Sequence, residues 1–184
     1  ERTFVVCPRV EESEDDDDLI SCVRLYKEKK KAGAVVGLLH GKMSESEKTS
    51  IMADFVTGKI RILITTTVIE VGIDVPQAVN IAIYNPERYG LSQLHQLRGR
   101  VGRGKKDGYC FLVVKGCIGN AIERIRYVEQ CSDGFALAEY DFNTRGAGDF
   151  LGSNQHGKGD MIINAANISA AKNIAGEMLK NKDI

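Results

Sequence analysis

Five short runs of apolar and β-branched residues recur along the chain: Thr3–Cys7, Ala34–Leu39, Ile60–Thr65, Val79–Tyr84 and Tyr109–Lys115. Each is apolar almost throughout instead of alternating with polar residues, which is the signature of a strand buried on both faces. Between the first three, and again between the last two, lie stretches with helical spacing, so strand and helix alternate at intervals of roughly 20–30 residues. That pattern predicts an α/β fold, a parallel sheet covered by helices on both faces. In such folds ligand chemistry gathers at the carboxyl ends of the strands.

The helix signals are local and specific. Leu19–Lys31 has Leu19, Cys22, Val23 and Tyr26 on one face, acids ahead of it and four lysines near its end. Both charge groups complement the helix dipole, and Gly33 suits the position just past the last turn. Glu11–Asp18, with seven acids in eight residues, reads as a solvated approach to that helix. Ser44 and Glu47 form a capping box. The helix they open buries Ile51, Met52 and Phe55 and stops at Gly58.

Beyond Ile118 the pattern changes. Ala121–Cys131 aligns Ile122, Ile125 and Val128, Ser132-Asp133-Gly134 breaks it, and Phe135–Tyr140 starts a second helix. The result is a helical hairpin, then a glycine-rich loop over 141–159 and a C-terminal helix from about Ser169 to Lys180. The expected division is 1–117 for the sheet domain and 118–184 for hairpin, loop and last helix.

Composition sets bounds on function. With 43% hydrophobic and 27% charged residues the chain has material for a core, and its formal net charge is zero. Any nucleic-acid binding must therefore come from local clusters. The apolar runs are too short to span a bilayer, and no signal peptide is evident. The chain opens on a strand without an initiator Met, which suggests a start inside a longer protein. Five scattered cysteines and three histidines argue for reduced thiols and against a zinc site.

Ser92–Gly104 reads S-Q-L-H-Q-L-R-G-R-V-G-R-G. As a helix capped by Ser92 it brings Gln96, Arg100 and Arg103 within about 60° of one another. Leu94, Leu97 and Val101 gather on a second face. Gly99 and Gly102 each cost about 1 kcal/mol inside a helix, which suggests that something comes close to the backbone; for the arginine pair alone, a solvated basic helix end is the alternative reading. Thr65-Thr66-Thr67 comes directly after a strand, and its hydroxyls suit a phosphate. Then Gly72 and Asp74 fall in a tight turn, where Asp74 could accept from a ribose hydroxyl or simply serve the turn.

In order, T-T-T-V-I-E-V-G-I-D-V-P, a strand, and Q-L-R-G-R-V-G-R resemble motifs V and VI of superfamily 2 helicases, and His40-Gly41 falls in another motif region of that family. The resemblance implies a RecA-like second motor lobe, a three-layer parallel sheet. It further implies that Arg100 and Arg103 reach the γ-phosphate of ATP, with Gln96 facing the same cleft and Gly72 and Asp74 lining it. Thr66 and Thr67 would touch the phosphodiester backbone. Neither a Walker A loop nor an Asp-Glu box is present. ATP and Mg²⁺ would be held mainly by a first lobe that this chain lacks, so the fragment should be inactive alone.

E-E-S-E at 11–14, T-T-V-I-E-V-G-I-D-V-P-Q-A at 66–78 and N-P-E-R-Y-G-L-S-Q-L-H-Q-L-R-G-R-V-G-R-G at 85–104 narrow the resemblance to the RecG family of ATP-dependent DNA helicases. The segment 133–157 resembles the translocation motif which that family shares with the transcription-repair coupling factor, and Arg145 and Gln155 match its arginine and glutamine. Gly146-Ala147-Gly148 is closer to the coupling factor. The family implies a DNA helicase, an ATP hydrolase of the bacterial cytoplasm and nucleoid. Its partners would be the first lobe and wedge domain of the parent chain and branched double-stranded DNA, with no membrane. The alternatives are the coupling factor's equivalent lobe and a non-catalytic nucleic-acid-binding module using Arg98, Arg100, Arg103, Lys105 and Lys106.

Overall fold

The computed structural model describes residues 1–11, 19–70, 75–104, 106–116 and 119–145. In chain order these form β1 (Arg2–Val6), α1 (Cys22–Lys31), β2 (Val36–Leu39), α2 (Glu45–Thr57), β3 (Ile62–Thr65), β4 (Ala78–Tyr84), α3 (Leu91–Arg98), β5 (Tyr109–Val113), α4 (Asn120–Gln130) and α5 (Gly134–Arg145). Single 3₁₀ turns occupy Thr67–Glu70 and Pro86–Arg88.

The strands form one parallel sheet in the order β2-β3-β1-β4-β5. The first strand in sequence thus lies in the middle, with Val5 opposite Ile64 on one side and Ala82 on the other. Burial on both faces tracks the strand alternation. Phe4, Val6, Leu63, Ile81 and Ile83 join Phe55 of α2 and Leu91, Leu94 and Leu97 of α3 in the larger core. Cys7 and Ile64 meet Cys22 and Leu25 of α1 on the other face. The expected sheet with helices on both faces is what the chain builds. Fully burying a side chain such as Phe4 or Phe55, whose rings stand 5.0 Å apart, stabilises by roughly 1.5–3 kcal/mol.

The ends of α2 match the sequence signals closely. Ser44 Oγ accepts from the Glu47 amide while the Glu47 carboxylate accepts from the Ser44 amide, and Gly58 stops the helix at φ 87°. α1 begins later than expected, capped by Ser21, whose hydroxyl accepts from the Arg24 amide. Gly33, at φ 80°, ends it. The acidic residues 12–18 lie outside the described residues; Glu11 pairs with Lys42 at 2.9 Å. The four described cysteines are free.

α4 and α5 form the expected hairpin, with α5 continuing through Asp141–Arg145, where the glycine-rich pattern predicts a loop. Tyr127 and Tyr140 stack across it at 4.1 Å. Val128 and Leu137 belong to the same buried cluster as α3 and the sheet. The glycine-rich loop beyond Arg145 and the C-terminal helix expected near 169–180 lie outside the described residues. Among the described residues, no helix is long and apolar enough to cross a membrane.

Candidate functional site

α3 is shorter than the sequence suggests. It spans Leu91–Arg98, and its N-cap is Gly90, not Ser92. Gly99 closes the last turn with bonds from the Gly99 amide to His95 O and from the Arg100 amide to Leu97 O. Gly102 then takes φ 74°, a left-handed conformation that favours glycine. Gln96 therefore stays exposed on the helix, whereas Arg100 and Arg103 sit in the turn after it. The two glycines end the helix where periodicity alone carries it on to Gly104.

That turn is clamped by backbone. A Cβ on Gly104 would stand 2.5 Å from the Pro76 carbonyl oxygen, and one on Gly108 would stand 2.5 Å from Gly102 N. No side chain fits at either place, so the arginine turn rests directly on Pro76 and Gly108. Pro76 comes shortly after the segment holding Gly72 and Asp74, both outside the described residues. Within the turn, Arg103 Nε donates to Gly99 O at 2.7 Å, which anchors an otherwise exposed side chain near its base. Arg100 is half-buried.

The turn lies at the amino edge of the sheet. Pro76, Gln77 and Val79 at the start of β4 line a cavity of about 660 Å³ with Gly104, Lys106, Arg2 and Arg61. The sequence points to ligand chemistry at the carboxyl ends of the strands, and this candidate turn lies at the amino end of β4 instead. α3 starts beyond the carboxyl end of β4 and runs antiparallel to it, so the arginine turn emerges at the opposite edge. Lys106 also pairs with Glu1 at 3.1 Å, holding the Glu1 carboxyl below its usual range.

The threonines occupy the carboxyl edge. Thr65 is fully buried and donates its hydroxyl to Thr66 O at 3.0 Å, while its own carbonyl accepts from the Cys7 amide at 2.8 Å. Thr66 and Thr67 are half-buried, Thr67 opening the 3₁₀ turn. His40 and Gly41, at the end of β2, lie beside that turn: a Cβ on Gly41 would meet Val68 at 3.8 Å. His40 Nδ1 is buried with no hydrogen-bond partner among the described residues.

Arg98 does something the sequence does not suggest. Its Nη1 donates to Val128 O at 2.6 Å and to Cys131 O at 3.0 Å, satisfying carbonyls at the end of α4. Its Nη2 lies 2.9 Å from His95 Nδ1, which accepts because a guanidinium only donates. Arg98 is therefore spent inside the protein and leaves the basic cluster assigned to phosphate binding. A second strut lies at the other end of α3. Asp141 Oδ2 accepts from the Leu91 amide at 2.9 Å, and its Oδ1 takes two bonds from Arg124, at 2.9 and 2.6 Å. Arg124 and Asp141 are almost wholly buried.

Residues 1–105 match the helicase conserved C-terminal domain family. The chain belongs to that family. It is 50% identical over 159 residues to the ATP-dependent DNA helicase RecG of Thermotoga maritima, a match covering 85% of this chain and 20% of that protein. A solved structure of RecG bound to a three-way DNA junction superposes with a TM-score of 0.65 at 45% identity, over 81% of this chain and 19% of that one. The C-terminal domain of the DEAD-box protein Dbp5 superposes at 0.51 and 22% identity, over 70% and 68% of the two chains, and speaks for the fold alone. The chain thus spans about a fifth of the length of the curated relative it matches. The fold is that of a RecA-like helicase C-terminal domain.

Within this helicase C-terminal domain the candidates fall into two groups at opposite edges. Gln96, Arg100 and Arg103 surround the clamped turn; Thr66 and Thr67 sit by His40-Gly41. Arg145 ends α5, and Gln155 lies outside the described residues. The described candidates are guanidiniums, an amide and hydroxyls, a set that suits a phosphate anion and offers no carboxylate to a cation. Sequence reasoning gave Arg98 a different role and missed Arg124, Asp141 and Gly108. Arg124 does leave a trace, falling on the helical face shared by Ala121, Ile125 and Val128, where a charge must find a buried partner.

Proposed function

We propose that this chain is the second motor lobe and translocation element of a RecG-type, ATP-driven double-stranded-DNA helicase. The parent protein would remodel stalled replication forks and Holliday junctions in DNA repair and recombination, in the bacterial cytoplasm on the nucleoid. The observation that carries the reading is the seat of Gly104 on the Pro76 carbonyl. It sets the turn bearing Arg100 and Arg103 against Pro76, which comes two residues after Asp74 in the sequence.

In this reading Arg100 and Arg103 present fixed forks to the γ-phosphate of ATP. A guanidinium stays charged at any working pH and binds oxygens in pairs. Gln96, Gly72 and Asp74 line the same cleft. Mg²⁺, bound with ATP mainly by the first lobe, supplies charge neutralisation at the phosphates. Thr66 and Thr67 contact the phosphodiester backbone at the other edge, and Arg145 and Gln155 couple lobe movement to travel along the duplex. The first lobe and wedge domain of the parent are the remaining partners.

In a full-length protein carrying this chain, Arg103→Ala should lower kcat for DNA-dependent ATP hydrolysis by about 10³–10⁵-fold and leave ATP binding largely intact. Turnover within a few-fold of the parent would overturn the assignment. The purified 184-residue chain should show no DNA-dependent turnover, because half of the catalytic site is elsewhere.

A further inference from the structure

The cavity at the amino edge of the sheet carries more positive charge than its own walls answer. Arg2, Arg61 and Lys106 line it together with Glu1, and Glu1 is spent on Lys106 at 3.1 Å. Among the described residues neither Arg2 nor Arg61 has an ion pair, and Arg2 Nη1 is buried without an acceptor. A charge withdrawn from water and left unpaired is costly.

The sheet itself sets the two guanidiniums side by side. Arg2 and Arg61 come immediately before Thr3 and Ile62, which are aligned across β1 and β3, and the Thr3 amide donates to Arg61 O at 2.9 Å. Neighbouring strands lie about 4.8 Å apart, and like charges facing each other across a sheet are destabilising. Gly58, at φ 87°, closes in from the end of α2: a Cβ there would stand 3.1 Å from Arg2 Nη2. Arg2 is thus held against backbone and half-buried, while Arg61 stays exposed.

We propose that this cavity binds a small anion through a diphosphate group seated between Arg2 and Arg61. Two unanswered guanidiniums call for at least two negative charges in one compact group. A carboxylate brings one, and so does each phosphodiester of a nucleic acid. A terminal phosphate brings about −1.5 to −2 at neutral pH. A diphosphate adds a further charge, and oxygens enough for both planar forks. The volume is about 660 Å³. That falls inside the range of roughly 300–1,000 Å³ typical of small-ligand sites and exceeds what one phosphate fills. The site stands apart from the roles proposed for Arg100 and Arg103, and its test uses no ATP turnover.

The test is calorimetric titration of the 184-residue chain with inorganic pyrophosphate at constant ionic strength. Saturable binding of one pyrophosphate is expected, weakened about tenfold or more by Arg2→Gln and by Arg61→Gln. Lys29→Gln, which removes the same charge from the last turn of α1, should leave it unchanged. No saturation, or equal losses in all three variants, would overturn the proposal. Displacement of the pyrophosphate by a DNA duplex without terminal phosphates would give the cavity to the nucleic-acid backbone and overturn it too. Without ligand, Arg61→Gln should raise Tm, because it removes the repulsion from Arg2. A fall in Tm would mean that the pair supports the fold and needs no anion.

Discussion

Gly108 shows how little space surrounds the arginine turn. A Cβ there would lie 2.5 Å from Gly102 N and 2.6 Å from its Cα, both backbone atoms. Overpacking of this kind costs about 1–3 kcal/mol, so Gly108→Ala should lower the urea midpoint by that equivalent. In the full-length protein it should also reduce ATP turnover, as the turn shifts off Pro76. At this scale the sequence was half legible. Arg100 and Arg103 stand out because their spacing with Gln96 belongs to a recognisable motif. Arg98 has the same side chain in the same run, yet its partners, Val128 and Cys131, come 30 and 33 residues later. Nothing local distinguishes an arginine proposed to bind phosphate from one that ties off a helix.

Among the elements, legibility depends on whether the cap is local. Ser44 and Glu47 are three residues apart, and both halves of their box form. The Ser44 hydroxyl, and after it the Ser44 amide, hold the Glu47 carboxyl below its usual range. A carboxylate depressed in the fold contributes stability in full above its ordinary value of about 4.3 and loses it as pH falls through the lower folded value. Amide exchange at the start of α2 should therefore quicken, relative to the unfolded chain, as pH drops below about 4, and Glu47→Gln should flatten that dependence. An unchanged profile in the variant would mean that another group controls it. α3 is the opposite case. Its first turn is capped from α5, and its end is set by a close approach of glycine backbones. Neither can be inferred from the run Ser92–Gly104 itself.

At the scale of the molecule, sheet and hairpin share one buried cluster, and the buried Arg124–Asp141 pair inside the hairpin reaches out to Tyr89 O and the Leu91 amide. Asp141→Ala removes the partner of Arg124 and the acceptor of the Leu91 amide together. Stripping one member from a buried pair costs about 3–5 kcal/mol. Hairpin amides should then exchange well before those of β1 and β4, whereas in the parent chain the two should exchange together. The α/β class and the order of elements were readable because apolar runs and caps are short-range signals. The strand order and the arginine turn at the amino edge arise only once the chain has crossed over itself. The cap on α3 also carries a consequence in time. Leu91 is 50 residues ahead of the carboxylate that receives its amide, and ribosomes add about 5–20 residues per second. For roughly 3–10 s of synthesis α3 waits with an open first turn. Strand β5 is made before the helix ahead of it has been finished.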